Sequence, residues 1–148
     1  MSTASFEHVI YIHGTPADVW QGLVDPELTR KYWFHVHESD WTEGSEWTQR
    51  QLNEEGTVSV GGTVLEVDHP NRLVLSWAHP AEPEAVSKVT FEFSSQDDWP
   101  HGPWTGLRLT HSELDPDGEM LPSISFGWPA VLSGLKSVLE RPEIFGGG

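Results

Sequence analysis

Cysteine is absent from the sequence, which excludes disulfide bonds, thiolate metal sites and a cysteine nucleophile. No apolar run approaches the roughly 18 to 20 residues that cross a bilayer, and residues 1–8 lack the basic and apolar segments of a secretory signal. We therefore expect a cytoplasmic protein whose stability comes from packing alone.

Basic residues are also scarce, since 8 Lys and Arg stand against 23 Asp and Glu, for a net charge of −15. A field of this sign repels the phosphates of nucleic acids and anionic lipid headgroups. Neither nucleic acid nor a membrane is an expected partner. The 148 residues are 36% hydrophobic and 11% aromatic, as in a globular chain that forms one domain around its own core.

The first third of the chain predicts one strand and two short helices. Apolar residues alternate over residues 6–13, as in a half-buried strand. Thr15 and Pro16 then provide an N-cap hydroxyl and a proline at the first helical position, before apolar residues at helical spacing. Asp25 and Pro26 repeat this signal, so we expect a second short helix that reaches Trp33.

Apolar and polar residues alternate with a period of two over residues 45–114, as in strands. Turn signals, including Gly61-Gly62, separate these predicted strands. After a linker that contains Pro, Ser and Gly, apolar residues recur at 128, 132, 135 and 139, which predicts an amphipathic C-terminal helix. The glycines at 146–148 are expected to fray. The pattern thus predicts an α+β fold in which a curved antiparallel sheet of about six strands grips a long C-terminal helix.

Several segments, in this order, carry a family resemblance. They are Thr15-Pro16-Ala17-Asp18-Val19-Trp20, Asp25-Pro26-Glu27-Leu28, Tyr32-Trp33-Phe34, Gly62-Thr63-Val64-Leu65-Glu66-Val67, Arg72-Leu73-Val74-Leu75-Ser76-Trp77, Val89-Thr90-Phe91, Leu107-Arg108-Leu109-Thr110-His111, Gly127-Trp128-Pro129-Ala130-Val131-Leu132, Leu135-Lys136 and Leu139-Glu140. The series closely resembles the Hsp90 ATPase activator homologue 1-like family of the START/Bet v 1-like (SRPBCC) superfamily, over about residues 6–140.

This resemblance implies one helix-grip domain over residues 1–148, with a hydrophobic pocket. It does not imply a particular chemistry, because the superfamily includes lipid carriers, hormone receptors, polyketide aromatases/cyclases and co-chaperone domains. An oligomeric state is not implied either, and both a monomer and a homodimer stay open.

The candidate ligand-binding residues lie on the dry face of the predicted sheet, at the end of the second helix and on the C-terminal helix. His111 shares its strand face with Leu109, so its imidazole could bond the polar end of a ligand. The alternative is a core histidine that a neighbouring group satisfies. The full set is Trp33, Trp77, Phe91, Phe93, Leu109, His111, Trp128 and Leu132.

Other motifs do not support a metal, cofactor or catalytic site. His35 and His37 would share a face if extended, but they lack an evident third ligand, so we interpret them as loop histidines without a metal. There is no Gly-x-Ser-x-Gly nucleophile motif, and Gly61-Gly62 lacks the rest of a phosphate loop, so a strand bulge or tight turn is expected. The Trp99–Trp104 loop is expected to fold back on the sheet, with capping of the pocket or pairing with a subunit as alternatives.

Three functions compete. The first is binding of a small apolar or amphipathic molecule between the sheet and the C-terminal helix, without catalysis. The second is an Hsp90 co-chaperone-like module in the stress response, which the resemblance suggests; it ranks lower because the eukaryotic co-chaperone has an additional N-terminal domain. The third is a cyclase or hydrolase that uses His111 with a carboxylate such as Glu66 as acid and base.

Overall fold

The computed structural model describes residues 3–145, so the glycines expected to fray lie outside it. The first of seven strands is followed by two short α-helices, six further strands, a long α-helix and a short 3-10 helix at Pro142–Phe145. The elements are β1 (Ala4–His13), α1 (Pro16–Val24), α2 (Pro26–Tyr32), β2 (His35–Ser39), β3 (Glu46–Gln51), β4 (Val58–Asp68), β5 (Arg72–Trp77), β6 (Ser87–Ser95), β7 (Trp104–Leu114) and α3 (Met120–Glu140).

All seven strands belong to one antiparallel sheet with the order β1-β7-β6-β5-β4-β3-β2. The first strand therefore lies beside the last, while the other neighbours follow one another along the chain. With α3 packed against the sheet, this confirms the predicted α+β helix-grip fold.

The two N-terminal helices start where the sequence predicts. Thr15 Oγ1 accepts a hydrogen bond from the Asp18 amide, and the Asp18 carboxylate accepts one from the Thr15 amide, which forms a capping box. Asp25 ends α1 and caps α2 through its bond with the Glu27 amide. One aspartate thus both ends α1 and starts α2.

The C-terminal helix is longer than expected, because the segment interpreted as a linker forms its first two turns. Pro122 lies in the first turn, where its missing N–H has no intrahelical acceptor in any case. Pro129 lies inside the helix and leaves the Ser125 carbonyl without its usual partner. The expectation of a linker was therefore wrong, since both prolines fit within α3.

Two further local expectations were wrong. Residues 35–37 form β2 rather than a loop, because β2 pairs with β3 from His35↔Gln51 to Ser39↔Trp47. Gly61-Gly62 forms neither a turn nor a bulge and lies inside β4. There a Cβ at Gly62 would overlap the backbone of Ser76, so glycine allows the close approach of β5.

The core lies between the sheet and the three helices. Leu132 and Leu135 of α3 are fully buried, as the helical stripe predicts. In the Trp99–Trp104 loop, Trp99 packs on Tyr11 with ring centroids 4.8 Å apart, so the loop folds back on the sheet as expected. No helix within residues 3–145 is long and apolar enough to cross a membrane.

Candidate functional site

A small apolar cleft lies between the sheet and the end of the α1–α2 pair. We call it the aromatic cleft. It has a volume of about 10 Å³, which is close to the space that one water molecule needs. Its lining residues are Leu23, Val24, Trp33, His37, Trp41, Trp47, Leu73, Leu75, Trp77 and Phe91.

Four rings that line the cleft and Trp128, which lies behind them, form a closed circuit of contacts. Going round it, the centroid distances are 4.5 Å from Trp33 to His37, 6.0 Å from His37 to Trp47, and 5.2 Å from Trp47 to Trp77. They are 5.3 Å from Trp77 to Trp128 and 5.6 Å from Trp128 back to Trp33. These separations and tilted or edge-to-face orientations are those that aromatic pairs prefer.

The circuit joins elements that are distant in sequence. Trp47 of β3 and Trp77 of β5 come from the sheet, and Trp128 comes from α3. The Trp47 indole is fixed because its N–H donates to the Ser76 carbonyl at 2.8 Å. Trp33, the residue after α2, is only partly buried, and so is Trp41 in the β2–β3 loop. The cleft therefore has a rigid floor in the sheet and two less confined indoles at its rim.

His37 is the buried polar residue of the cleft, and both its ring nitrogens are bonded. Nδ1 donates to the Leu23 carbonyl at 3.0 Å, so the neutral ring accepts at Nε2 from the Gln49 amide, also at 3.0 Å. Burial lowers the pKa of His37 from 6.5 to about 4, although the bond to the Leu23 carbonyl acts in the opposite direction. His37 is thus a neutral tie between β2, β3 and α1.

His111 is also buried with both ring nitrogens bonded. Trp128 Nε1 donates to Nδ1 at 3.0 Å, so the proton of the neutral ring lies on Nε2 and is donated to Ser87 Oγ at 2.7 Å. Ser87 Oγ donates in turn to the Trp77 carbonyl at 3.2 Å. Burial lowers the pKa of His111 from 6.5 to about 4. This chain of bonds joins α3 to β5, β6 and β7.

The structure brings three of the expected ligand-binding residues to the cleft, namely Trp33, Trp77 and Phe91. Trp128 contacts all three of their rings, and His111 is bonded behind it. The other three are buried core residues that do not line the cleft: Phe93, which packs on Trp20, Leu109 and Leu132.

The remaining lining residues are not among the expected ligand-binding residues. Trp47 and Gln49 are two positions apart in β3 and share its buried face. This period of two could have placed the Trp47 ring on the dry face of the sheet. Trp41 belongs to no apolar repeat because it lies in a loop. His37 lies in the segment where the sequence predicts a loop, so no strand face could be given to it. The cleft also lies under α1 and α2, whereas the expected pocket lay under the C-terminal helix.

His111 and Glu66, the expected acid–base pair, are each bonded to other groups in the described residues. Glu66 bonds Arg72 at 2.9 Å, and both nitrogens of His111 are occupied as above. Within residues 3–145, no group of three His, Asp or Glu side chains is placed to hold a metal ion. The arrangement of the cleft offers apolar contact and hydrogen bonding.

Comparison with known proteins adds the family and the fold. The sequence profile described as Activator of Hsp90 ATPase homolog 1-like protein matches residues 13–140. No curated protein matches the chain significantly in sequence.

Solved structures share the fold. An HSP90 activator from Plasmodium falciparum is 24% identical with a TM-score of 0.73, over 91% of this chain and 95% of its own. The Aha1 dimer from Colwellia psychrerythraea is 19% identical with a TM-score of 0.74, over 93% and 97%. A protein from Cytophaga hutchinsonii is 26% identical with a TM-score of 0.69, over 97% of both chains.

Proposed function

Because the chain belongs to the family of Activator of Hsp90 ATPase homolog 1-like proteins, with its helix-grip fold, we propose that it binds a small apolar or amphipathic molecule in the aromatic cleft. The observation that carries this proposal is the apolar, largely aromatic lining of the cleft, whose rim is formed by two partly exposed indoles. Pockets for small molecules are typically apolar and aromatic with few polar groups.

The ligand enters by displacing rim indoles, because the cleft as it stands holds about one water. Trp33 and Trp41 are the side chains that can move, since both are partly exposed and neither is held by a hydrogen bond from its indole nitrogen within the described residues. Trp47 and Trp77 are nearly fully buried and form the floor. A molecule that replaces the rim indoles keeps the apolar contacts of the floor covered.

Apolar burial supplies the binding free energy. Each Å² of apolar surface removed from water contributes roughly 25 cal/mol, so a bicyclic hydrocarbon gains several times the net value of one hydrogen bond, about 0.5 to 1.5 kcal/mol. In this proposal Trp33, Trp77 and Phe91 touch the ligand. Trp128 and His111 support them from behind, with Phe93, Leu109 and Leu132 as the packed core.

A rim variant with a matched control tests the proposal. Binding of naphthalene, followed by the quenching of tryptophan fluorescence, should be saturable in the wild type. Trp33→Asp should weaken it at least about tenfold, because a carboxylate at the rim resists burial beside an apolar molecule. Trp99→Asp, at the partly exposed indole on the opposite sheet face, should leave it unchanged. Absence of saturable binding, or equal effects of the two variants, contradicts the proposal.

Interaction with an Hsp90-type chaperone is a second candidate, which the family description and the Plasmodium falciparum HSP90 activator of similar fold favour. We expect this domain alone not to stimulate the ATPase, because the resemblance covers the helix-grip domain only. A saturable, several-fold increase in the ATPase rate of a purified Hsp90-type chaperone would place this function first.

A further inference from the structure

The side chains that line the aromatic cleft offer a ligand free hydrogen-bond donors but no free acceptor. Five of the lining residues, Leu23, Val24, Leu73, Leu75 and Phe91, have no polar side-chain atom. The other five are His37 and four tryptophans, so every polar side-chain atom at the cleft belongs to an imidazole or an indole.

The imidazole offers nothing to a ligand. His37 Nδ1 donates to the Leu23 carbonyl and Nε2 accepts from Gln49, so both nitrogens are used. The Trp47 N–H is used as well, by the Ser76 carbonyl.

Three donors therefore stay without a protein acceptor. Within residues 3–145, the indole N–H groups of Trp33, Trp41 and Trp77 make no hydrogen bond, whereas those of Trp104 and Trp128 do. No fully buried side-chain nitrogen or oxygen in this range lacks a partner, so each of the three N–H groups keeps some accessible surface.

The N–H of Trp77 is the most informative of the three. Trp77 lies in β5, near the middle of the sheet, and only 7% of it is exposed. A donor in such a place normally has a partner, since leaving it unbonded costs about 1 to 3 kcal/mol. Trp77 lines the cleft, so an acceptor bound there can lie beside its indole.

We infer that the molecule bound in the aromatic cleft is an uncharged, flat, largely apolar compound with a hydrogen-bond acceptor, such as a carbonyl oxygen, that accepts from at least one of the Trp33, Trp41 and Trp77 indoles. This inference rests on the proposed function and adds its ligand class. Donor groups such as hydroxyl or ammonium find no free acceptor among the lining side chains. An ionic ligand finds no opposite charge there, because His37 is neutral.

A matched pair of probes tests this class. Indane and 1-indanone have the same bicyclic frame and differ by one carbonyl group. The quantity of interest is the ratio of their dissociation constants in wild type and in Trp33→Phe, Trp41→Phe and Trp77→Phe, because the cost of desolvating the carbonyl cancels in that comparison. Phenylalanine keeps an apolar ring but removes the donor and part of the ring area, and the lost area affects both probes, so the ratio reports the donor.

We expect at least one of the three variants to reduce the preference for 1-indanone by about 3- to 10-fold, the equivalent of one neutral hydrogen bond. Trp20→Phe is the control, because Trp20 is as buried as Trp77 and its N–H is also unbonded, but it does not line the cleft. There the ratio should stay within about twofold of wild type.

The wild-type protein gives a second readout, which does not depend on whether a variant folds. In ¹H–¹⁵N spectra, 1-indanone should move at least one indole proton of Trp33, Trp41 or Trp77 downfield, and indane should not. Unchanged ratios in all three variants, or no selective shift, overturn the acceptor class while the proposed function stands. If neither probe binds, the proposed function fails together with this inference.

Discussion

His111 links α3 to the sheet by two hydrogen bonds that both require its neutral ring. Because Trp128 donates to Nδ1, that nitrogen has to be free of a proton, and Nε2 has to carry one for Ser87. Protonation of Nδ1 would place two donors against each other in a buried site. The bond chain therefore favours the neutral ring, in the same direction as burial, and a stabilising role accounts for the position of His111.

Replacement of His111 by leucine should destabilise the protein by about 1 to 3 kcal/mol, because the Trp128 N–H loses its acceptor in a buried site. The free energy of unfolding from urea denaturation measures this. His79→Leu, at an exposed histidine, should change it by no more than about 0.5 kcal/mol. Equal stabilities of the two variants would show that the bond chain contributes little.

Mild acid should destabilise the protein, because its two buried histidines resist protonation. The pKa values of His37 and His111 fall from 6.5 to about 4 on folding, so between these values the unfolded chain binds protons that the folded chain does not. Stability is then full above pH 6.5 and falls as the pH drops towards 4. From pH 6.5 to 5 the loss should be about 1 to 2 kcal/mol for each histidine.

Urea denaturation at pH 7.5, 6.5, 5.8 and 5.0 measures this slope. His111→Gln removes one of the two titrating groups, so its slope should be about half that of the wild type. A free energy of unfolding that is constant from pH 7.5 to 5.0 would exclude the lowered pKa values.

The indoles of α3 and of the Trp99–Trp104 loop differ strongly in burial. Trp128 is 3% exposed and contacts the ring of Trp33, which follows α2, and rings from β5 and β6, whereas Trp99 is 41% exposed. Trp128→Ala should therefore cost about 3 to 5 kcal/mol, and Trp99→Ala about 0.5 kcal/mol. Urea melts of the two variants check the order, and the reverse order would mean that the buried face of α3 is misplaced.

Two helical glycines should respond to alanine with opposite signs. A Cβ at Gly22 of α1 would overlap a terminal methyl of Leu135 of α3, and because Leu135 is fully buried its shift would disturb the core, so Gly22→Ala should cost about 1 to 3 kcal/mol. At Gly127 of α3 a Cβ meets nothing within 4 Å, so Gly127→Ala should stabilise the helix by about 0.5 to 1 kcal/mol. Thermal unfolding of both variants tests this, and a shift of the same sign would contradict the packing of α1 on α3.

The elements with strong local signals could be predicted from the sequence. The caps at Thr15 and Asp25 and the alternation along β5, β6 and β7 are local properties, and the structure confirms them. β2 could not be predicted, because its polar residues alternate with no apolar face and its extended form depends on pairing with β3. The start of α3 is not evident from the sequence because Pro122 and Gly127 suggest a linker, whereas Met120 and Ile124 pack partly against the core.

The candidate site was only partly predictable, for a similar reason. Strand parity gave Trp77 and Phe91, since a period of two determines which side chains share a face. It could not give Trp41, which lies in a loop, or the bonding of His37 to Leu23 of α1. The free or bonded state of each indole N–H depends on contacts between distant elements, which spacing along a chain does not reveal.

The whole molecule combines this neutral aromatic interior with a strongly acidic surface. In the described part of the chain, every Lys and Arg except Lys31 lies within 3.7 Å of a carboxylate. The cations are thus nearly all paired, while most of the 23 acidic residues have none beside them. Exposed pairs contribute only about 0 to 1 kcal/mol each, so the unpaired carboxylates dominate the electrostatics of folding.

Added salt should consequently stabilise this protein. Salt weakens the exposed ion pairs, but it also screens repulsion among carboxylates, and the Debye length falls from about 30 Å at 0.01 M to about 10 Å at 0.1 M. Two like charges 10 Å apart in water repel by about 0.4 kcal/mol, and a net charge of −15 provides many such pairs. The free energy of unfolding should therefore rise by about 1 kcal/mol between 0.01 and 0.15 M NaCl.

Urea is the suitable denaturant for this measurement, because guanidinium is itself a salt. Glu54→Gln with Glu55→Gln removes two exposed carboxylates that pair with no cation in the described chain. This double variant should be more stable than wild type at 0.01 M NaCl and should gain less from added salt, because less repulsion remains to be screened. A wild-type stability that falls with added salt would instead mean that the ion pairs around Arg72, Arg108 and Lys136 outweigh the repulsion among the remaining carboxylates.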